Sequence, residues 1–518
     1  MTRFHRARRT ACASRALRAC TLAVTIPVLG FAVPAAADSL PEALATAYDS
    51  NPQLAAQRAL VRQNDELVPQ ALSFARPTVD GTVVAQQTGD DFKDDGRYYQ
   101  AGLNVNQSLY RGGRTRAATS AAENRILAAR ARLRAVENSV LVDVVTAYAD
   151  VLRYAKVVDL NANQVKVLES ELQASKDRFE VGDLTRTDVA QSEARLANAV
   201  SNLVVAQGQF NTARNAYVRV VGRPAIDLAP LPPLPILPGT VGQATDLANA
   251  NNPQLLAARF DEAAARYDVS GIERERLPSL GFGVGVDYTH FEGGSAGVAS
   301  TIGTGTSGGT TGTGTGGSTG TGAISTSNIS AAGSTFQQTA GLSLTIPLYQ
   351  AGNNGSRIRQ AQAVRSQLME QIGFVGRSAV ETAGNAFISV ATARAVIQAS
   401  ESSVRANNLA LEGVTQENLV GTRTVLEVLN AQQELLVAQV NLAAARRDEY
   451  VAGYTLLSAV GEAEADALGI PVTTYDSTAN ARRVRGKWND YDTDDNPAPL
   501  PRPDANSASR SVPIGPQQ

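Results

Sequence analysis

Apolar and polar side chains alternate along three stretches of this chain. The clearest stretch covers residues 279–289, and two others cover residues 99–109 and 340–348. Strict alternation is typical of a β-strand with one apolar and one polar face. A weaker stretch of the same kind lies near residues 78–86. The pattern therefore predicts four strands of about ten residues each, which is long enough for tilted transmembrane strands.

Four strands are too few to close a barrel if they face lipid. A closed ring needs about eight or more strands, and backbone groups at an open sheet edge find no water in hydrocarbon. Several chains would then have to contribute strands to one sheet. Alternation alone also fits a soluble, half-buried hairpin, so both interpretations stay open at this point.

Very long helices are predicted after the second and fourth strands. Residues 113–181 contain no proline, and an unbroken helix of this length spans about 100 Å. Shorter helices are predicted over residues 185–221 and 241–276. Apolar residues seven apart favour a left-handed coiled coil or an ordinary two-helix hairpin. These positions are Val144, Val151, Val158, Val165, Leu172 and Phe179 in the first long helix, and Ala383, Val390, Ile397, Val404 and Leu411 in the second, where Asn418 breaks the series.

The sequence contains an internal duplication. Asn-Pro-Gln-Leu at residues 51–54 recurs at 252–255, an offset of 201 residues, whereas Val-Gly at 181–182 recurs at 420–421, an offset of 239 residues. The difference is an insertion of 38 residues that falls in the Gly/Thr/Ser-rich segment 293–333. Such a composition cannot bury a core, so we expect a flexible loop there.

The duplication divides the chain into segments. We predict a first repeat over residues 38–222, a proline-rich linker over 223–240 and a second repeat over 241–470. The polar, proline-bearing tail over residues 471–518 is expected to be disordered.

The first 37 residues have the features of a secretory signal peptide. Six arginines precede an apolar run at residues 22–33, and small residues lead to Ala37, after which cleavage is expected. The run is too short for a membrane-spanning helix. Both cysteines, Cys12 and Cys20, lie in this leader, so the mature chain would contain no disulfide or thiolate metal site. Its removal would change the net charge from -2 to -8, which leaves no electrostatic basis for binding nucleic acid.

No arrangement of residues in the sequence favours an enzyme. Gly281, Gly283 and Gly285 lie inside an alternating strand rather than before a helix, so they do not indicate a dinucleotide site. The single histidine outside the leader, His290, lacks nearby metal-ligating partners in the sequence. We therefore expect no catalytic residues, no metal and no cofactor.

Polar residues follow the glycine at which each long helix is expected to turn. Gly182 and Gly421 can adopt the backbone that ends one helix, and the residues after them can cap the next. Helix capping alone could explain this composition. A functional alternative is that Glu427 and Asn430, three residues apart, project from one helix face and form polar rings in a symmetric assembly.

The duplicated order of helices and strands, the Asn-Pro-x-Leu starts, the Leu-Tyr-x-x-Gly strand exits and the Gly-Thr-Arg-Thr turn at residues 421–424 together resemble the TolC family of outer-membrane efflux and type I secretion channels. The resemblance implies an α+β membrane protein in the outer membrane of a Gram-negative bacterium. Three chains would form a twelve-stranded β-barrel in the lipid and a long α-helical barrel in the periplasm. The loop over residues 293–333 would then be extracellular, and the tail over residues 471–518 would lie in the periplasm. Such a channel conducts passively and works with a periplasmic adaptor and an inner-membrane ABC or proton-driven pump.

The resemblance also assigns roles to residues at the helix turns. Glu427 and Asn430 would form a gate ring, and Arg423, Asp188 and Thr187 would form a latch that holds the inner helices closed. Gly182 and Gly421 would mark the tip that docks the pump, and Asn430, where an aspartate is expected, would halve the charge of the ring. The alternative from a different class is a water-soluble periplasmic adaptor or structural coiled coil without a pore. The sequence does not distinguish a polypeptide, a drug or a metal as the exported substrate.

Overall fold

The computed structural model describes residues 38–88, 96–182, 184–292 and 333–494 of the protein. The predicted signal peptide and residues 293–332 of the predicted loop lie outside these ranges. The elements of the first repeat are α1 (Leu40–Ser50), α2 (Pro52–Asp65), α3 (Leu67–Ser73), β1 (Thr78–Thr88), β2 (Gly96–Tyr110), α4 (Arg114–Glu180) and α5 (Arg186–Val221). Those of the second are α6 (Val241–Asn251), α7 (Pro253–Glu273), β3 (Ser279–Glu292), β4 (Gly333–Thr345), α8 (Asn353–Leu419) and α9 (Val425–Val460), and α10 (Ala479–Val484) follows them.

The predicted duplication and the four predicted strands are confirmed. The strands form one antiparallel sheet in the order β1-β2-β3-β4. Strand β4 ends at Thr345, three residues before the predicted end at Leu348, because Pro347 has no N–H group to donate to a neighbouring strand. Within the described part of the chain, β1 and β4 are the two edges of the sheet.

The register of the sheet separates an apolar face from a polar face. Val83 on β1 lies opposite Ala101 on β2, which lies opposite Tyr288 on β3 and then Phe336 on β4. Neighbouring rows on this face contain Val79, Val105, Val284 and Ala340, and Gly81, Leu103, Val286 and Gln338. The other face contains Asp80, Thr82, Gln100, Asn104, Asn106, Asp287, Gln337 and Thr339.

Glycines on the polar face make room for the polar side chains of neighbouring strands. A Cβ atom added at Gly285 would lie 2.4 Å from Asn104 Oδ1 and 2.8 Å from Thr339 Oγ1. At Gly102 it would lie 2.3 Å from Asp287 Oδ1. The alternating glycines of β3 therefore serve packing of the sheet, which agrees with the rejection of a dinucleotide site.

The first long helix, α4, is 67 residues long, which corresponds to about 100 Å. Helix α5 packs along its carboxyl-terminal part and α7 along its amino-terminal part. The predicted heptad positions Val144, Val151 and Val165 are buried, whereas Phe179 near the turn is 44% exposed. On α5, the facing positions are small residues seven apart, which lets the two backbones approach closely; they are Ser192, Ala199, Ala206 and Ala213.

Ion pairs join α7 to both long helices. Arg125 on α4 pairs with Asp268 on α7 at 2.5 Å, and Arg365 on α8 pairs with Glu262 on α7 at 2.7 Å. Each of these pairs is partly exposed, so each contributes about 1 kcal/mol at most. Their main consequence is to fix the register of α7 between α4 and α8. None of the helices in the described ranges is long and apolar enough to cross a membrane.

The predicted single helix over residues 241–276 is wrong. The chain forms α6 and α7 instead, because Pro253 cannot donate a helical hydrogen bond and Asn252 adopts a non-helical backbone before it. The Asn252 side chain accepts hydrogen bonds from the backbone N–H groups of Gln254 and Leu255. Its Nδ2 group donates to Ala459 O at 3.1 Å and so ties this cap to the end of α9.

The first repeat contains the same arrangement. Asn51 accepts a hydrogen bond from Gln53 N at 2.9 Å and donates to Val220 O, near the end of α5, at 3.0 Å. The duplicated Asn-Pro motif is therefore a helix cap that also holds the last turn of the neighbouring helix.

The prediction of a disordered tail is wrong for residues 471–494. This segment includes α10 and packs against α2 and α4. Asn480 Nδ2 donates to Asp65 Oδ2 at 2.9 Å, and the Asp65 side chain is fully buried. Burial raises the pKa of Asp65, and the hydrogen bond from Asn480 partly offsets this cost. Composition alone missed these partners; residues 495–518 lie outside the described ranges.

We predict that Asn252→Ala lowers the free energy of unfolding by about 1–2 kcal/mol, because it removes a helix cap and the contact with α9. In thermal unfolding of the detergent-solubilised protein, this corresponds to a Tm about 1–2 °C lower. Asn249→Ala, at an exposed position of α6, is the matched control and should leave the Tm unchanged. Equal Tm values for both variants would contradict this role of Asn252.

Candidate functional site at the helix turns

The two long helices turn at glycines with left-handed backbone conformations. Gly182 has φ +85° and Gly421 has φ +81°. An added Cβ atom would meet nothing within 4 Å at either position, so the requirement for glycine is conformational rather than steric. Both turns lie at the end of the helices opposite the sheet, about 100 Å away along α4.

The first turn is closed by a capping box. Thr185 Oγ1 accepts a hydrogen bond from Asp188 N at 3.3 Å, and Asp188 Oδ2 accepts from Thr185 N at 3.0 Å and from Thr185 Oγ1 at 2.7 Å. These hydrogen bonds to the charged carboxylate lower the pKa of Asp188. Asp188 is therefore committed to the start of α5, and its neighbour Thr187 is exposed.

The second turn uses its acidic residue differently. Thr424 caps α9 by accepting from Glu427 N at 3.4 Å, while the Glu427 carboxylate interacts with Arg423, whose Nη1 group donates to it at 3.1 Å. Arg423 Nε also donates to Glu417 Oε2 at 2.7 Å. The hydrogen bonds to Glu417 and Glu427 raise the pKa of Arg423, so the arginine stays charged.

Asn418 has a specific role in this turn. Its Nδ2 group donates to the carbonyl oxygen of Arg423 at 2.8 Å, across the turn between α8 and α9. The residue that breaks the heptad series therefore braces the backbone that carries Arg423.

The start of α9 packs against the first hairpin. Val425 and Leu429 are buried in one cluster with Val165, Leu168 and Ala199 of α4 and α5. At the next residue of α9, the Asn430 side chain accepts a hydrogen bond from Arg195 Nη2 at 2.7 Å. This contact joins the two repeats at the edge of the apolar cluster.

Farther from the turn, an ion pair fixes α9 against α4. Arg447 Nε and Nη2 donate to the two carboxylate oxygens of Asp150 at 2.8 and 3.2 Å. This paired geometry is the strong form of an arginine–carboxylate interaction. Helix α9 extends for about 30 Å from the turn to Arg447. Arg195 contacts α9 near the turn, at the start of the helix.

Of the predicted site residues, the structure brings Arg423 to Glu427 and Asn430 to Arg195. Within one chain, Arg423 contacts acidic residues of its own hairpin, and Asp188 contacts Thr185 of its own helix start. The latch and gate-ring roles stay predictions. Arg195 was not among the residues predicted from the sequence. The one sequence signal for it is its position between Ser192 and Ala199, two of the small residues of α5 that face α4. Over the described ranges, no group of three or more His, Cys, Asp or Glu side chains is arranged to hold a metal ion.

The fold and its duplicated turns define a class of protein. The sequence profile of the outer membrane efflux protein family matches residues 43–223 and 244–462. The chain belongs to this family, and the resemblance predicted from the sequence is confirmed. The protein is an outer-membrane channel protein that extends into the periplasm, and the water-soluble alternative has no support. The family consists of channel proteins rather than enzymes.

Individual relatives agree with this assignment over most of their length. The outer membrane efflux protein BepC of Brucella suis is 32% identical over 455 residues, which cover 88% of this chain and 92% of that protein. The outer membrane protein TolC of Vibrio cholerae is 25% identical over 441 residues, covering 82% of this chain and 91% of that protein. The crystal structure of VceC from Vibrio cholerae has the same fold, with a TM-score of 0.64 at 19% identity over 82% of this chain and 96% of that one.

We predict that the first turn of α5 loosens in acid. Because the native pKa of Asp188 is depressed, its contribution is present above the ordinary carboxyl pKa of about 4 and is lost as the pH falls through the lower native value. Hydrogen exchange, corrected for its intrinsic pH dependence, should show reduced protection of residues 188–190 as the pH is lowered from neutral to well below the ordinary carboxyl value.

The matched variant is Asp188→Ala. Its protection at this turn should already be low at neutral pH and should change little in acid. Unchanged protection in the native protein between these conditions would contradict the capping role of the carboxylate.

Proposed function

We propose that three copies of this chain form a channel-tunnel that conducts exported substrates passively across the periplasm and the outer membrane. The observation that carries this proposal is the four-stranded sheet, which has one apolar face and two edges. Three chains would contribute twelve strands, enough to close a ring with the apolar face toward lipid and the polar face toward the pore.

Apolar side chains on the helices support assembly. Several large apolar residues of α8 are more than one-third exposed in the single chain, and burying them against neighbouring chains would favour association. Neighbouring chains would cover them in a helical barrel. They are Val364, Met369, Phe374, Ile388, Val396 and Leu409.

Closure of the channel would depend on the position of the start of α9, next to the second turn. The Arg447–Asp150 pair holds the middle of this helix, while Val425, Leu429 and the Arg195–Asn430 hydrogen bond hold its start. Release of the start would let α9 swing outward about the fixed point. Docking of a periplasmic adaptor and an inner-membrane pump at the turns would shift the population toward this open arrangement.

Three copies of Glu427 would form the acidic ring at the entrance. Asn430 adds no charge, so the ring would carry three carboxylates, each next to an Arg423 guanidinium. This arrangement favours weak cation selectivity rather than strong exclusion of anions. The energy for transport would come from the pump. The name of the BepC relative refers to efflux, so small effluxed molecules are the first substrate class to test.

We predict that Arg195→Ala raises the resting conductance of the purified protein in planar bilayers. Loss of about 1 kcal/mol of closing energy would raise the open population about fivefold. Arg186→Ala, at an exposed position of the same helix, is the control and should keep the native conductance. If both variants conduct like the native protein, Arg195 does not hold the closed state; if no protein conducts at all, the channel proposal itself fails.

We also predict that Glu427→Gln lowers the preference for cations. Reversal potentials measured in a salt gradient should move toward zero, because the variant removes three carboxylates from a trimeric entrance. Glu412→Gln, at an exposed position of α8, changes the net charge equally and should leave the reversal potential in place. Identical shifts for the two variants would indicate a general charge effect and contradict an acidic ring at Glu427.

A further inference from the structure

The carboxyl-terminal segment forms a strap, residues 475–491, along α2 and α4. At its start, Tyr475 N donates to Tyr48 Oη at 3.1 Å, and the Arg58 guanidinium lies over the rings of both tyrosines. In its middle, Asn480 binds the buried Asp65, and Val484 is only 1% exposed. The strap is therefore held along its length by buried contacts.

The strap ends at the base of the sheet. Arg485 pairs with Glu123 near the start of α4 at 2.9 Å, and Arg76 Nη1 donates to the carbonyl oxygen of Lys487 at 2.7 Å. Arg76 lies two residues before the first residue of β1. One arginine side chain thus links the end of the strap to the segment that leads into β1.

The register of the sheet indicates on which side this end lies. Gln107 of β2 lies opposite Phe282 of β3, in the rows of the apolar face. Its Nε2 group donates to Ala75 O at 2.7 Å, next to the arginine that contacts the strap. The strap therefore ends on the side of the apolar face, which would contact lipid in the proposed channel.

Two large aromatic side chains project from this end. Trp488 is 73% exposed and Tyr491 is 93% exposed. Three other exposed aromatic residues lie at the same end of the sheet, where its strands meet the helices: Phe74, Tyr110 and Tyr349. Tryptophan and tyrosine are enriched at the membrane–water interface, because their rings are apolar and each has one polar group that stays hydrated.

The paired charges of the strap favour binding to a surface that carries no net charge. Arg482 pairs with Asp476, Arg483 pairs with Asp494 at 2.6 Å, and Lys487 pairs with Asp492 at 3.1 Å. Since carboxylates of residues 476–494 match these cations, attraction to an anionic surface is weak. The aromatic rings are the groups left to bind.

We propose that Trp488 and Tyr491 insert into the phospholipid headgroup region of the periplasmic leaflet and anchor the strap at the membrane surface. The strap would then connect the depth of the sheet in the membrane to the packing of α2 and α4. This inference rests on the outer-membrane position of the sheet, and its occupant is a zwitterionic lipid surface.

Trp488 is the single tryptophan of the chain, so its fluorescence reports on this site alone. The full mature protein would be reconstituted in phosphatidylethanolamine-containing vesicles, with and without lipids brominated in the upper acyl chain. The expected result is a blue-shifted emission, loss of intensity in the brominated vesicles and weak quenching by iodide, all insensitive to salt. Emission that stays red-shifted and is quenched by iodide would overturn the proposal, and so would protection from both quenchers, which would place a neighbouring chain over the ring.

Two control variants in a Trp488→Phe background separate this proposal from the channel proposal. Leu344→Trp places the probe on the apolar face of β4, and Val181→Trp places it at the distant helix turn. The first probe should be quenched by brominated lipid and the second by iodide. If Leu344→Trp is quenched by lipid and the native Trp488 is not, only the strap anchor is wrong. If Leu344→Trp is not quenched by lipid, the membrane position of the sheet fails as well.

Discussion

The rest of the structure depends on how the backbone N–H and C=O groups at the two edges of the sheet find hydrogen-bond partners. In hydrocarbon, an N–H or C=O group without a partner costs several kcal/mol, and β1 and β4 each present a full row of such groups. One chain cannot satisfy them, because four strands are too few to curve back on themselves. In the proposed assembly, strands of neighbouring chains would satisfy these groups, and the long helices would follow the symmetry of the shared sheet.

The two repeats use one scaffold and differ at the site that would gate the pore. Asn51 and Asn252 cap corresponding helices and hold corresponding helix ends. At the turns, Asp188 and Glu427 occupy the same position relative to the capping threonine, but only Asp188 completes a capping box. In the second repeat the carboxylate is free for Arg423. The second hairpin therefore has a charged surface at its tip, and Thr424 still caps the start of α9.

Much of this architecture could be predicted from the sequence, because period-two alternation and seven-residue spacing are local patterns. The break at Pro253 is also visible in the sequence, because proline cannot donate a helical hydrogen bond. The ordered segment 471–494 could not be predicted from composition, since it is held by contacts to residues more than 300 positions away, such as Asn480 to Asp65 and Arg485 to Glu123. The Arg195–Asn430 contact joins residues 235 apart, and periodicity does not report which faces of two hairpins meet.

In the proposed barrel, β1 of one chain pairs with β4 of the next chain. Both native cysteines lie in the predicted leader, so Val83→Cys on β1 can be combined in turn with cysteine substitutions at Phe336, Gln338, Ala340 and Leu342 on β4. Oxidation in membranes should produce covalently linked trimers for at least one combination, and Val83→Cys alone should produce none. A Val83→Cys, Ala101→Cys pair, whose positions are opposite each other in one chain, checks that oxidation occurs. If that pair forms its disulfide and every β1–β4 combination stays monomeric, the account of a shared barrel is contradicted.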